Sequence, residues 1–410
     1  MPPEIRLAFR DDLQRMSEIE RLCFTSPWDR DTLSRFLETP SCRTWAARLD
    51  RETAGYLCAC FQSGGLHVVN LAVHPGFRRM GLASALLKTA EEWAERLGAA
   101  SSVLEVRAGA AAAGELYRRR GYGFDSGLAS YYSDGEDGIR MTKTLVPRLE
   151  TASIAYRLFT ECGSVPPVGV VLGSGLSWLA EEFGIGCQVD YSDLLREHSR
   201  HVPGHPGRLA CSECGRFVFL LGRRHHYQGY SGSEISTLPG ILGDMGVRFW
   251  ILTSSSGAVD PSLRPGDAVL FSDHVNFTGC VPKAGPGRVR PSVYSDRLRE
   301  AAREASSETG ADLREGLFAC VSGPAYETSA EIRFLQQNGF STVSMSTVPE
   351  ALLLSSRGLE VAGLSLVTNA ASPGAVLTHE EVLSSQEGVR SRQGEFMSTF
   401  LRKAASIGLQ

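Results

Sequence analysis

Two arginines, two histidines and two tyrosines crowd into nine residues, GRRHHYQGY (222–230). At a strand end, alternate residues share a face, so Arg223, His225 and Tyr227 are expected to point together. A cation, an imidazole and a phenol on one face suit a phosphate beside a sugar; the competing reading is a polar sheet edge. Upstream, GSGL (173–176) joins an apolar strand to a helix. Unpaired backbone N–H groups in such a place favour an anion, unless the segment is only a turn. It is not the dinucleotide fingerprint, because no third glycine follows at the required spacing. RRMGLA (78–83) lies in a similar place, where the small Gly81 and Ala83 leave the backbone open to a pyrophosphate. An ordinary strand-to-helix turn is the alternative there too. Cys211 and Cys214 form a CxxC, but no second CxxC or nearby His pair completes a zinc set. No metal is expected, and ACSECGRFVFLL reads as two strands joined by a tight turn.

The elements that must position these residues are legible in the hydrophobic pattern. HVVNLAV (67–73) is a β-branched strand, and Leu82, Leu86, Leu87, Ala90 and Trp93 recur at helical spacing behind it. Gly98 ends that helix, SSVLEVRA (101–108) is the next strand, and AAAAGELYRRRGYGF gives a second helix stopped at Gly121. VPRLETA carries no core pattern, which places a linker at 148–151 between a first domain, 1–147, and a second, 152–410. The second opens on helix-like IAYRLFTECG and the strand VGVVLGSGL, running into SWLAEEFG. RFVFLLG, RFWILTSSSG, DAVLFSD, STVSMS and VAGLSLVTN are further buried-type strands, several separated by helices such as SAEIRFLQQNG and PEALLLSSRG. Both domains are therefore expected to be α/β, with sheets covered by helices.

Composition excludes several classes. The 410 residues carry a net charge of −4, so no basic field draws nucleic acid or a membrane surface. Arginine outnumbers lysine 38 to 4, for which a coding bias is the simplest account. No apolar run approaches the roughly 18 residues of a membrane helix, and MPPEIRLAFRDDLQR lacks the layout of a secretory signal. Ten scattered cysteines form no dense framework, so a reduced cytoplasm is expected.

VNLAVHPGFRRMGLASALL resembles motif A of the GNAT acetyl-CoA-dependent N-acetyltransferases, with Arg78, Gly81 and Ala83 in the Q/R-x-x-G-x-G/A pattern. SPWDRDTL, LEVRA, ELYRRRGYGF and YYSDGEDGIRM are similar to the RimI-type subfamily, which acetylates the N-terminal alanine of a ribosomal protein. The resemblance covers residues 1–147. It implies a mixed sheet with flanking helices, and acetyl-CoA as co-substrate held by Leu71, Val73, Arg78, Arg79, Gly81 and Ala83. It also implies Glu105 as general base, Tyr117 as general acid and a protein N-terminus as acceptor. Ala110 stands where the family has an Asn that positions the carrier's pantetheine arm.

GSGL, PGHPGRL, GRRHHYQGY, SGPAYETSAEIRFL, VSMSTVPEALL and SLVTNA follow one another as in the trimeric purine nucleoside phosphorylases. This resemblance spans residues 152–400 and implies a central mixed sheet surrounded by helices. The reaction implied is cleavage of a purine ribonucleoside by inorganic phosphate, giving free base and ribose 1-phosphate, in a homotrimer. Ser174, Arg223, His225, Ser346 and the backbone N–H of Ser255 match the phosphate site. Tyr227, Met345 and His379 match the sugar contacts, Glu327 and Asn369 the purine-reading pair, and Tyr326 the aromatic beside the base. Among these His225 and Asn369 are the catalytic candidates, and an Asn at 369 implies a preference for 6-oxopurines such as inosine and guanosine.

The chain departs from this second family at several points. TSSSGA (253–258) replaces TNAAGG, Ser344 replaces a glycine beside the base pocket, and Ala370 replaces a lysine. After DHVNFTG (273–279), a short CVPKAGPGRVRPSVYS without phenylalanine stands in place of the longer loop that closes a neighbour's ribose pocket. Three readings follow: a bifunctional enzyme, an acetyltransferase on a degenerate trimerising scaffold or purine sensor, or a phosphorylase with an impaired acyl-carrier site. Retention of Arg223, His225, Glu327 and Asn369 together favours the first.

Overall fold

The computed structural model describes residues 4–39, 41–49, 52–147, 154, 165–195, 206–283, 292–371 and 386–407. The chain divides into two compact units, Met1–Tyr156 and Arg157–Gln410. The expected linker at 148–151, most of the helix expected after it, and His379 lie outside the described residues.

The first unit is built on seven strands: β1 (Glu4–Leu7), β2 (Cys42–Leu49), β3 (Glu52–Gln62), β4 (Gly65–Val73), β5 (Ser101–Arg107), β6 (Gly123–Leu128) and β7 (Gly138–Thr144). Their order is β1-β2-β3-β4-β5-β7-β6, antiparallel throughout except for the parallel pair β4–β5. A parallel pair needs a crossover, and α3 (Leu82–Arg96) supplies it. The helix buries the predicted stripe of Leu82, Leu86, Leu87, Ala90 and Trp93. On other elements, Leu13, Met16 and Ile19 of α1 (Leu13–Cys23) join Leu33 and Leu37 of α2 (Arg30–Glu38) over Ala46, Tyr56, Cys58 and Ala72. Cys42 and Cys60 face one another across β2–β3 and are joined by a disulfide.

One irregularity shapes this sheet. β4 and β5 pair only at Leu66–Ser102, His67–Val103 and Val68–Leu104, although β4 runs on to Val73 and β5 to Arg107. Beyond Val68 the strands part, leaving backbone on the β5 side of Leu71 and Val73 without a ladder partner there. Just past that gap α3 begins at Gly81, whose φ of +81° is costly for a residue with a Cβ.

The second unit has nine strands: β8 (Val168–Leu172), β9 (Ile185–Asp190), β10 (Arg208–Ser212), β11 (Phe217–Leu221), β12 (Phe249–Ala258), β13 (Ala268–Asn276), β14 (Leu313–Cys320), β15 (Phe340–Ser344) and β16 (Glu360–Ala370). Their order is β15-β14-β13-β16-β12-β8-β11-β10-β9, and a further pairing of β15 with β12 closes five of them into a ring. β8, β11, β12 and β16 run parallel and read as continuous apolar runs because both faces are covered. Phe396, Met397, Phe400 and Leu401 of the helix Gln386–Ile407 pack with Leu298 and Ala302 of Asp296–Thr309 and with strand residues Val170, Ile251 and Leu364. Cys211 and Cys214 fall in the β10–β11 hairpin, the two strands and tight turn that the pattern predicts.

Candidate active sites

In the second unit the candidate residues gather where the parallel strands end. β8 stops at Leu172, and the Gly173 N–H donates to Thr253 Oγ1 at 2.9 Å. Thr253 Oγ1 in turn donates to Val171 O at 3.0 Å, which fastens the turn to β12. A Cβ on Gly173 would come within 3.1 Å of the Ser255 backbone nitrogen. Ser255 Oγ donates to Ser174 O at 3.0 Å, so the two serines are neighbours although far apart in sequence.

Arg223 does not lie on a strand, as the alternation argument expected. β11 ends at Leu221, and an extended stretch leads into the short turn His226–Gln228. The ladder runs out there: Leu221 pairs with Leu172, the last residue of β8, and with Arg208, the first of β10, and in the turn beyond Gln228 Oε1 accepts from the His225 N–H at 2.7 Å. Arg223 and His225 are nevertheless both buried. Arg223 Nη1 donates to Ser346 Oγ at 2.9 Å and to Thr347 Oγ1 at 2.7 Å, and its Nη2 reaches Val171 O at 3.4 Å. Glu350 Oε1 lies 3.2 Å from its Nε, with both side chains almost wholly buried. Ser254 Oγ is 3.4 Å from Ser346 Oγ. Ser174, Ser255, Ser346 and Arg223 are thus joined into one cluster by Ser254, Thr347 and Glu350, which the sequence analysis did not single out. Glu350 left a signal, a lone carboxylate in the apolar helix VPEALLL.

Burial and the neighbouring Arg223 charge push the His225 imidazole down to about 3, so it is neutral near pH 7. Its ring stacks on Tyr227, with centroids 4.8 Å apart. Gly323, at φ +64°, closes on this pair: a Cβ there would sit 2.3 Å from Met345 Sδ and 3.1 Å from Tyr227. Burial raises the Tyr227 phenol above its usual range, with Tyr326 a further neighbour. It raises the half-buried Glu327 carboxyl likewise. Asn369 pairs with Gly257 across β16–β12, and its Oδ1 accepts from Thr368 Oγ1 at 3.0 Å. No hydrogen bond among the described residues joins Asn369 to Glu327.

In the first unit Glu105 is held on both oxygens. His67 Nε2 lies 2.8 Å from Oε2, and Arg140 Nε donates to Oε1 at 3.0 Å. These residues come from β4, β5 and β7 and share a face, opposite the one that Leu104 and Val106 bury. Neither His67 nor Arg140 was singled out from sequence; alternation along adjacent strands would have found them. Tyr117, on α4 (Ala111–Arg119), is buried against Tyr122, whose hydroxyl is 2.7 Å from Ser102 Oγ. Burial raises the Tyr117 phenol, and Tyr132 is its charged-form neighbour. Tyr132 also feels the Glu105 charge, and Arg107 lies over its ring at 4.1 Å. Arg78 Nε donates to Val73 O at 3.3 Å, drawing the RRMGLA turn toward the end of β4. Leu71 and Val73 stay half-exposed beside the parting of β4 and β5, while Arg78, Arg79 and Gly81 are exposed. Ala110 is the N-cap of α4 and offers no side-chain cap. The exposed amides at α3 and the parted strands fit a ligand with a pyrophosphate and an extended amide-bearing arm.

The phosphorylase superfamily model matches residues 167–402. The chain belongs to the phosphorylase superfamily. The family model for GNAT acetyltransferases matches residues 13–122, so this phosphorylase-superfamily chain also carries a GNAT domain. Purine nucleoside phosphorylase 1 of Geobacillus stearothermophilus is 36% identical over 252 residues, covering 58% of this chain and 92% of its own. The purine nucleoside phosphorylase of Mycobacterium tuberculosis is 36% identical over 244 residues, covering 58% of this chain and 89% of its own. That of Bos taurus is 33% identical over 256 residues, covering 58% and 88% respectively. A schistosoma purine nucleoside phosphorylase, solved with hypoxanthine, shares the fold at a TM-score of 0.54 and 24% identity, over 62% of this chain and 95% of its own.

Two departures within the phosphorylase unit acquire a structural meaning. The Ser344 hydroxyl donates to Ser255 O at 3.0 Å, so it ties β15 to β12. TSSSGA lies on β12, whose register with β16 shifts between Ser256 and Gly257, and Ser256 Oγ lies 2.9 Å from Ser365 Oγ, which lies 2.8 Å from Thr342 Oγ1. The three serine hydroxyls of this stretch thus meet partners on other segments: Ser346 for Ser254, Ser174 O for Ser255 and Ser365 for Ser256.

Proposed function

We propose that the second unit is a purine nucleoside phosphorylase, cleaving purine ribonucleosides with inorganic phosphate to free base and ribose 1-phosphate, with 6-oxopurines preferred. The observation that carries this reading is the cluster of Arg223, Ser346, Thr347, Ser174 and Ser255 in a chain 33–36% identical to such enzymes. Phosphate binds among these hydroxyls, with Arg223 supplying charge. His225, neutral, has a single ring N–H, with which it orients the anion without adding charge. The stacked Tyr227 and Met345 shape the sugar side, where the ring gathers oxocarbenium-like charge as phosphate attacks. Asn369 and Glu327 hydrogen-bond the purine and stabilise the charge it gains on leaving. Burial raises the Glu327 carboxyl above its usual range, and in its protonated form it donates as well as accepts.

The first unit, in this reading, is an acetyl-CoA-dependent N-acetyltransferase of the RimI type that acts on a protein N-terminus, with a ribosomal protein as acceptor class. Leu71, Val73, Arg78, Arg79, Gly81 and Ala83 surround the parted strands and the α3 turn, where the carrier binds. Glu105 takes the amine proton, and Tyr117, kept protonated by burial, returns one to the departing thiolate. The protein is further proposed to be a cytoplasmic homotrimer. Among the described residues no helix is long and apolar enough to cross a membrane. The Cys42–Cys60 disulfide runs against a reducing compartment.

The test is phosphorolysis of inosine and guanosine by the purified chain, with and without phosphate, beside Asn369→Ala. Phosphate-dependent base release, lost in the variant, is expected. A folded, oligomeric chain that releases no base from either nucleoside would overturn the phosphorylase reading in favour of a scaffold or purine sensor.

A further inference from the structure

The helix Val348–Ser356 begins at an unusual place. Thr347 precedes it at φ +80°, a left-handed conformation that is strained for a β-branched residue. Such strain persists only when the surroundings fix it. Here Thr347 Oγ1 and Ser346 Oγ both accept from one nitrogen, Nη1 of Arg223. One turn on, in the first turn of the same helix, Glu350 meets the other edge of that guanidinium, 3.2 Å from Nε. Arg223 therefore donates from Nη1 to two hydroxyls at one helix start and has Glu350 of the same helix in ion-pair contact at Nε, while Nη2 is turned to the β8 backbone at Val171 O.

A buried carboxylate without a role would be costly. Taking a charge out of water is unfavourable unless it is paired, and Glu350 is 1% exposed. An apolar residue would suit the surroundings, since Val348, Ala351 and Leu354 are buried beside it. A small cavity lined by Tyr191, Leu238, Pro239 and Glu350 also borders Arg223. A planar fork binds an oxyanion well only when its plane and edges are fixed.

We propose that Glu350 is a positioning residue for the phosphate nucleophile: its charge fixes Arg223 so that Ser346, Thr347 and the guanidinium present one anion-binding surface. This rests on the phosphorylase reading of the same site. Glu350 touches neither phosphate nor nucleoside and acts through Arg223.

The experiment measures KM for inorganic phosphate and for inosine, with kcat, in the unaltered chain, Glu350→Gln and Glu350→Asp. Gln has nearly the same volume and removes the charge; Asp keeps the charge and draws it back. The expected result for Gln is a rise of about tenfold in KM for phosphate, with KM for inosine changed less than twofold and a reduced thermal stabilisation by phosphate. Asp is expected to fall between Gln and the unaltered chain. An unchanged KM for phosphate overturns the proposal. So does a fall, which would make Glu350 a charge that competes with the anion. A parallel rise in both KM values with a lowered Tm would show structural support only, and overturns it too. Failure of the phosphorylase reading is seen separately, as absence of phosphate-dependent base release in the unaltered chain, and removes the proposal with it.

Discussion

Glu105 shows what a single residue gains from its neighbours. His67 and Arg140 hold its carboxylate on both oxygens. Glu105→Gln keeps the shape and removes the basicity. In acetyl transfer from acetyl-CoA to a peptide with a free N-terminal alanine, kcat is expected to fall by about 10²–10⁴-fold, with KM for acetyl-CoA little changed. His225 makes a different prediction, one of stability. Its folded pKa is about 3, against 6.5 for an ordinary imidazole. Below pH 6.5 the unfolded chain binds a proton that the folded chain refuses until about pH 3. The stabilisation is therefore complete above pH 6.5 and is lost as the pH falls through that window, by up to about 1.4 kcal/mol per pH unit. Denaturant unfolding at pH 7.5 and 5.5 should show a smaller loss in His225→Gln than in the unaltered chain.

At the scale of elements, both sites sit where strands stop matching. β4 and β5 part after Val68 and Leu104, and β8 ends at Leu172 while its neighbour β12 continues to Ala258. Ligands in open α/β sheets bind outside the carboxyl ends of the strands, where unpaired backbone groups are available. The brace from Ser344 on β15 to Ser255 on β12 belongs to this level. Ser344→Gly removes that hydrogen bond, and a stability loss of about 1 kcal/mol is expected, with Gly adding backbone freedom in the unfolded chain. If the brace holds Ser255 for phosphate, KM for phosphate rises in the same variant while KM for inosine stays within twofold. Steady-state kinetics on the two substrates would separate these effects.

For the whole molecule, each unit has its own sheet and its own buried cluster. A ligand stabilises only the folded state that binds it, by about 2.7 kcal/mol at a hundred times its Kd. Scanning calorimetry is expected to show two transitions. Acetyl-CoA should raise one and phosphate with a nucleoside analogue the other. A single transition raised by either ligand would mean that the two units unfold together.

Both families, the α/β class and several of the strands and helices were legible in the sequence. Periodicity, glycine stops and short motifs are local features, and the local backbone follows them: α3 buries the stripe it was expected to bury, and ACSECGRFVFLL forms its hairpin. Arg223 and His225 were assigned to a strand, whereas β11 ends at Leu221, where its ladder partners Leu172 and Arg208 are the last and first residues of their own strands, an end that alternation does not encode. Only the tertiary structure decided which groups surround them. It set Glu350 and Thr347 against Arg223, Ser344 against Ser255, and His67 and Arg140 against Glu105. Those contacts join residues from different strands and helices, and their charges and hydroxyls take on meaning only once burial has removed water as the competing partner.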